Sequence, residues 1–286
     1  MYADFGAVGQ SLRQLVEEFQ EKAKSHQKVE SIDEMKTFVE NYPRFKQMSG
    51  TVSKHVSVVG ELSRLTKKHN LLELSELEQE LACRSSHSQS LQRLKQILGN
   101  QNTNLREIDA LRLVMLYALR YETHSNNDIM GLVAKLKNKG VTEDNIRLVK
   151  ALLQIGGAKK RKSDLFGSDP VAVTKRFIKG LKGVENIYTQ HTPWLNYIVE
   201  DLVKGKLKEA QFPYFIQGAE PNYRPPEVIV FVLGGITYEE SLAIHNINRA
   251  ENRLCVVLGG TAMYNTSIFL EDIKAAVGKP GDPNNV

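Results

Sequence analysis

The sequence predicts two architectures in one chain, an all-α part to about residue 156 and then an α/β part built on a parallel sheet. Three observations carry this. Apolar residues recur at three- and four-residue steps through the first 156 positions, the mark of amphipathic helices. Two β-branched runs, Glu227–Gly234 and Arg253–Leu258, each end near Gly-Gly and each precede a helical pattern. That β-α-β-α order implies a parallel pair joined by a right-handed crossover. Finally, 286 residues, 41% hydrophobic and 25% charged, have globular composition and length for about two domains of ~150 residues.

Phe5, Val8, Leu12, Leu15/Val16 and Phe19 place one apolar stripe on a first helix, which fades into the polar stretch 22–28. Ser31-Ile32-Asp33-Glu34 is a capping-box signal for the next start. From there Met35, Phe38/Val39, Tyr42, Phe45, Met48/Val52, Val56/Val59 and Leu62/Leu65 hold helical spacing to about Lys68. Pro43 interrupts this pattern, because it removes a backbone donor and clashes with the carbonyl four residues back, at about 3 kcal/mol in a helix interior. Residues 31–42 and 44–68 are therefore either two pieces with a bend or one helix under strain, and Gly50 weakens the region by a further ~1 kcal/mol. Base rates make such a stripe core. Its length and its proline equally suit binding of a partner helix.

Further helices are expected at about 71–83, 88–98, 105–121, 127–138 and 142–155, the third apolar enough to be central. Thr142 caps the last of these and Gly156-Gly157 ends it. Residues 157–170 read as a linker and the best domain boundary. Helices follow at about 171–186 and 194–204, with Trp194 a core or helix-start anchor. Helices over 237–250 and 266–277 complete the α/β part. Neither strand alternates, so both are expected to be covered on two faces. Two strands do not make a sheet alone, and no other convincing strand is found, which hints at missing sequence.

Composition narrows the function. Cys83 and Cys255 read as reduced thiols of a cytosolic protein, so the sequon at Asn265 is incidental. No apolar run approaches the ~20 residues of a spanning helix, and the N-terminus lacks a signal-peptide pattern. The net charge of +5 is concentrated: residues 157–182 hold eight Lys/Arg against two Asp, while the rest sums to −1. This is no basic face for nucleic acid. The run Lys159, Lys160, Arg161 and Lys162 reads as a solvated linker, an acidic-lipid contact or a nuclear signal. The seven histidines lack metal-ligand spacing and read as scattered surface residues. No cofactor, metal or catalytic residue is indicated. The Gly-Gly turns after the strands lack phosphate-loop patterns and read as tight turns, with Glu239 and Glu240 complementing a helix dipole. A nucleotide-binding α/β enzyme and a generic helical scaffold remain the alternatives.

The segment from Tyr223 to Glu240 (YRPPEVIVFVLGGITYEE) is similar to the C-terminal signature of the SM proteins, the Sec/Munc regulators of SNARE-driven membrane fusion. Val256–Thr261, Asn265–Glu271, Thr192-Pro193-Trp194 and Phe212-Pro213-Tyr214 continue the resemblance, which is strongest to the vacuolar-protein-sorting branch serving endosomal and trans-Golgi SNAREs. It implies a non-enzymatic, cytoplasmic protein peripheral to endosome and Golgi membranes. Its partners would be syntaxin-type and v-SNARE helices, with membrane contact indirect or weakly through the basic loop, and with no nucleic acid or small-molecule substrate. It also implies that 1–156 is the helical third domain, with a SNARE-templating hairpin at about 31–68 lined by Phe38, Tyr42, Phe45, Met48, Val52, Val56 and Val59. Pro43 matches the family's hinge proline and Val56 its groove-facing position. Residues 157–286 would be the closing half of the second, α/β domain. The N-terminal domain and the first half of the second have no counterpart, which is expected of a fragment, an alternative product or an incomplete gene model.

Overall fold

The helical periodicity of the first half becomes seven helices in the computed structural model, which describes residues 5–27, 32–83, 86–100, 104–161, 187–215, 226–250 and 254–277. By internal contact the chain divides into two compact units, Met1–Leu71 and Leu72–Val286.

The first unit pairs α1 (Phe5–Gln27) with α2 (Ile32–Lys68). The segment expected as a hairpin is thus a single helix, and the helical pair is α1 with α2. Of the two outcomes expected at Pro43, the continuous helix is the one found, with the proline inside it. Packing sustains it: Phe19 of α1 stacks on Phe45 with ring centroids 5.2 Å apart, and Lys22 Nζ lies 3.9 Å from Met48 Sδ. Such tertiary contact, rather than propensity, supplies most helical stability. The Ser31 capping signal lies outside the described residues.

The second unit opens with α3 (Leu71–Cys83), α4 (His87–Gly99), α5 (Glu107–Tyr121), α6 (Ile129–Asn138) and α7 (Glu143–Gly156). As expected, α5 is central: Ala110, Leu111, Leu113, Val114, Tyr117 and Ala118 are fully buried. Thr142 caps α7 through the amide of Asn145, and Asp128 caps α6 through that of Gly131. An ionic cluster joins α3 to α5. Asp109, fully buried, takes Arg106 at 2.6 Å and Arg112 at 3.1 Å, and Arg112 reaches Glu78 at 2.6 Å. Burial pushes the Glu78 carboxyl up, opposed by Arg112.

The α/β segment follows: α8 (Trp194–Val203), β1 (Glu227–Val232), β2 (Ile236–Thr237), α9 (Tyr238–Ala250), β3 (Cys255–Gly260), β4 (Met263–Tyr264) and α10 (Thr266–Val277). The helix expected at 171–186 lies outside the described residues. β1 and β3 pair in parallel from Glu227↔Cys255 to Val232↔Gly260. A second parallel pair, β2 with β4, was not expected; at two residues per strand it is too short to show a pattern. The expectation of two covered faces is corrected. α8 and α9 lie on one side, where Leu195, Val199, Ile244 and Val256 form a core with Val228, Val230 and Leu258. The opposite face exposes Ile229 (80%), Phe231 (61%) and Val257.

The contact grouping does not follow the expected boundary at residue 156. α10 packs on α7 and α5, and the linker's first residues bind the end of α5, so helices α3–α7 group with the α/β segment.

Candidate functional site

Helix α2 carries most of the residues singled out by sequence, and the structure divides them between two roles. At 3.6 residues per turn, Phe45, Met48, Val52 and Val59 share an arc of about 60°. Val52 is buried and the other three are half-buried, Phe45 against Phe19. Val56 and Tyr42 follow on one edge of that arc and stay open to solvent, at 46% and 47% exposure. Pro43 is exposed as well. The backbone of Phe38 belongs to α2, but its side chain lies outside the described residues.

Sequence reasoning missed Val58, which is 59% exposed. Val58, Leu62 and Leu65 stand at i, i+4 and i+7, a second apolar line that the longer stripe obscured. Leu62 is exposed and Leu65 half-buried.

The helix presenting these residues is weak by composition. A Cβ added at Gly50 or Gly60 would meet nothing within 4 Å, so no packing requires a glycine at either position. Thr51, Ser57 and Thr66 donate their hydroxyls back to the carbonyls of Gln47, Ser53 and Leu62 at 2.8–3.0 Å, and His55 Nδ1 lies 2.8 Å from the Thr51 carbonyl. Back-bonds of this kind bend helices and slightly destabilise them. Near the C-terminal end a two-pronged Arg64–Glu61 pair, both contacts 2.7 Å, offers local support, and its hydrogen bonds hold the Glu61 carboxyl below its usual range.

The basic run is not one patch. Lys159 and Lys160 are exposed, whereas Arg161 is half-buried and pairs with Glu122 at 3.1 Å and the Leu119 carbonyl at 3.2 Å. The same Glu122 carboxylate accepts the Ala158 amide at 2.5 Å. Arg161 is thus an anchor for the linker, selected by an acidic residue 39 positions away that no local pattern reveals. Lys162 lies outside the described residues.

The glycine pairs differ from each other. Gly234 and Gly235 form the expected tight turn, with φ of 106° and 100°. Gly259 and Gly260 instead lie within β3, where added Cβ atoms would crowd the Phe231 ring at 3.1 Å and Ile236 at 3.0 Å. The start of α9 is closed by a capping box: the Thr237 hydroxyl accepts the Glu240 amide and Glu240 Oε2 accepts the Thr237 amide. Asn265 likewise caps α10, accepting the Ile268 amide at 3.0 Å, which gives the sequon residue a structural role. Trp194 starts α8 but is exposed, and Leu195 and Val199 enter the core in its place. His87, expected at the surface, is buried. Cys83 and Cys255 are unbridged, and no group of metal-ligating side chains exists among the described residues. No described helix is long and apolar enough to cross a membrane.

A mostly helical chain with a small parallel sheet and a long proline-bearing helix defines a class, and comparison with known proteins supplies it. The chain belongs to the Sec1 family, which matches residues 1–272. It is 54% identical over 278 residues to vacuolar protein sorting-associated protein 45 of Rattus norvegicus, and likewise to that of Homo sapiens. Each match covers 96% of this chain and 48% of the relative. Among solved structures it is similar to the SM protein Vps45 in complex with the Qa SNARE Tlg2, with TM-score 0.79 and 40% identity over 96% of this chain and 48% of that one. The Unc18–syntaxin 1 complex from Monosiga brevicollis shares the fold, with TM-score 0.67 and 14% identity over 93% of this chain and 48% of that one. The chain spans about half the length of the curated relatives it matches.

Proposed function

We propose that this chain is a non-enzymatic SNARE-binding regulator of vesicle docking and fusion in endosomal and trans-Golgi transport, and that α2 presents the binding surface. The observation that carries this reading is the exposure of Tyr42, Val56, Val58 and Leu62 on a helix whose other apolar stripe is already packed. An amphipathic SNARE helix laid along these residues removes their apolar area from water. The 54% identity to vacuolar protein sorting-associated protein 45, and the Tlg2 complex of a similar structure, support the choice of partner. In this reading residues 1–156 form the helical third domain, 157–286 the closing half of the α/β domain, and membranes are reached through the bound SNAREs, with Lys159 and Lys160 a weak secondary contact.

Val56→Asp tests the surface. Val56 is half exposed, so the free chain tolerates aspartate, whereas the complex would bury an unpaired charge. In a pull-down with the cytosolic part of an endosomal syntaxin-type SNARE or its v-SNARE, capture falls at least tenfold while the melting temperature stays unchanged. Capture at the wild-type level refutes the assignment of this face.

A further inference from the structure

At the junction of α4 with the turn between α5 and α6, His87 and His124 stack face to face, ring centroids 3.9 Å apart and planes 21° from parallel. His87 is buried and His124 exposed. Both rings are held by hydrogen bonds. The Tyr117 hydroxyl accepts the Asp128 amide at 3.1 Å and lies 2.9 Å from His87 Nε2, a hydrogen bond in which either group can donate. His124 Nδ1 accepts the Asn126 amide at 3.2 Å, so that nitrogen carries no proton. Two neutral rings stack without cost; two imidazolium rings at this distance repel.

The turn held by this stack ties several elements together. Asp128, at its end, caps α6 and pairs with Lys95 of α4 at 2.5 Å. Asn127 donates its side-chain amide to the carbonyls of Glu122 and His124. Glu122, at its start, anchors Ala158 and Arg161. The charged groups around the pair are Lys95, Lys135 near Asp128, and Arg120 above the Tyr121 ring. Lys95 occupies the nearby carboxylate of Asp128, so that carboxylate does not compensate a charged imidazole. A cavity of about 490 Å³ reaches His87, Lys95 and His124 and gives protons access.

We propose that the His87–His124 stack is an acid-sensitive latch. With both rings neutral it holds the 122–128 turn against α4. A proton arriving at His124 Nδ1 displaces the Asn126 amide and frees the turn, together with the 157–161 loop anchored on Glu122. Burial, and the neighbouring His124, hold the His87 imidazole below its ordinary value. The sign follows: native His87 resists protonation, so the stability it contributes is full above the unfolded value of about 6.5 and is lost as pH falls through the lower folded value.

The test is amide exchange by NMR on the full chain at pH 7.5 and 5.5, corrected for intrinsic rates. In the wild type, protection at Asn126 and Ala158 falls at least tenfold at the lower pH. His124→Asn supplies a non-titrating acceptor to the amide two residues on, as in an Asx turn. In that variant protection holds within twofold across the range. Desolvation lowers His191 as well, opposed by Glu240, and the asparagine variant leaves that contribution intact. Unchanged protection in the wild type overturns the proposal, as does a wild-type-sized loss in His124→Asn, because the acid response then lies elsewhere.

Discussion

Pro43→Ala isolates the weakness built into α2. The proline stands inside a helix that continues to Lys68, so it deprives the carbonyl four residues earlier of its amide partner and crowds it with the ring. That arrangement costs about 3 kcal/mol relative to alanine. Pro43 is exposed, so its removal takes no core contact with it. Alanine also frees the unfolded chain, which sets up to about 1 kcal/mol against the gain. The net is about 2 kcal/mol, or roughly a 30-fold drop in local opening. Hydrogen exchange with mass spectrometry reads it directly: peptides spanning 36–50 exchange roughly 30-fold more slowly in the variant. Capture of a syntaxin-type SNARE should rise in parallel, because a partner that binds the straight helix no longer competes with its opening. Equal or faster exchange in the variant would refute the claim that the proline keeps a continuous helix near its limit.

Two further outcomes are expected. Asp109→Ala leaves Arg106 and Arg112 facing an emptied, fully buried position and lowers stability by about 3 kcal/mol or more, read by denaturant unfolding; a loss under 1 kcal/mol would show that the cluster is not structural. Ile229→Lys, on the open face of the sheet, changes stability by no more than about 0.5 kcal/mol and reduces aggregation in light scattering, since it charges an uncovered apolar sheet face.

Elements with a strong period were legible in the sequence. The central α5 and the Thr142 cap stood out because an all-round apolar helix and a Thr before an acidic turn each have one local meaning. What escaped depends on residues distant in the chain. Arg161 looked like part of a solvated charge run, since its partner Glu122 is 39 residues away. Glycines 259 and 260 looked like a turn, since nothing local shows the Phe231 ring crossing the strand. His87 looked like a surface histidine, because the Tyr117 hydroxyl that makes its burial tolerable lies 30 residues on. The open face of β1 and β3 was misjudged for another reason: a strand without alternation specifies two apolar faces but not what covers them.

The same geometry explains why the apolar face of α2 is half sealed. α1 has 23 residues and α2 has 37, about 34 Å against 55 Å at 1.5 Å per residue. Phe19 stacks on Phe45, so in an antiparallel pair the first residue of α1, Phe5, lies level with about residue 59 of its partner. The last nine or so residues of α2, from about 60 to 68, extend past it. Leu62 falls in that extension while Val56 and Val58 fall before it, and all three are exposed. Phe45, Met48 and Val52 fall before it, and all three are wholly or partly buried. Exposure of Leu62 follows from the lengths of the two helices, whereas Val56 and Val58 stay open because they lie at the edge of, or away from, the arc of Phe45, Met48, Val52 and Val59. In the proposed reading, a partner helix laid along Val56, Val58 and Leu62 covers the apolar area that α1 leaves open.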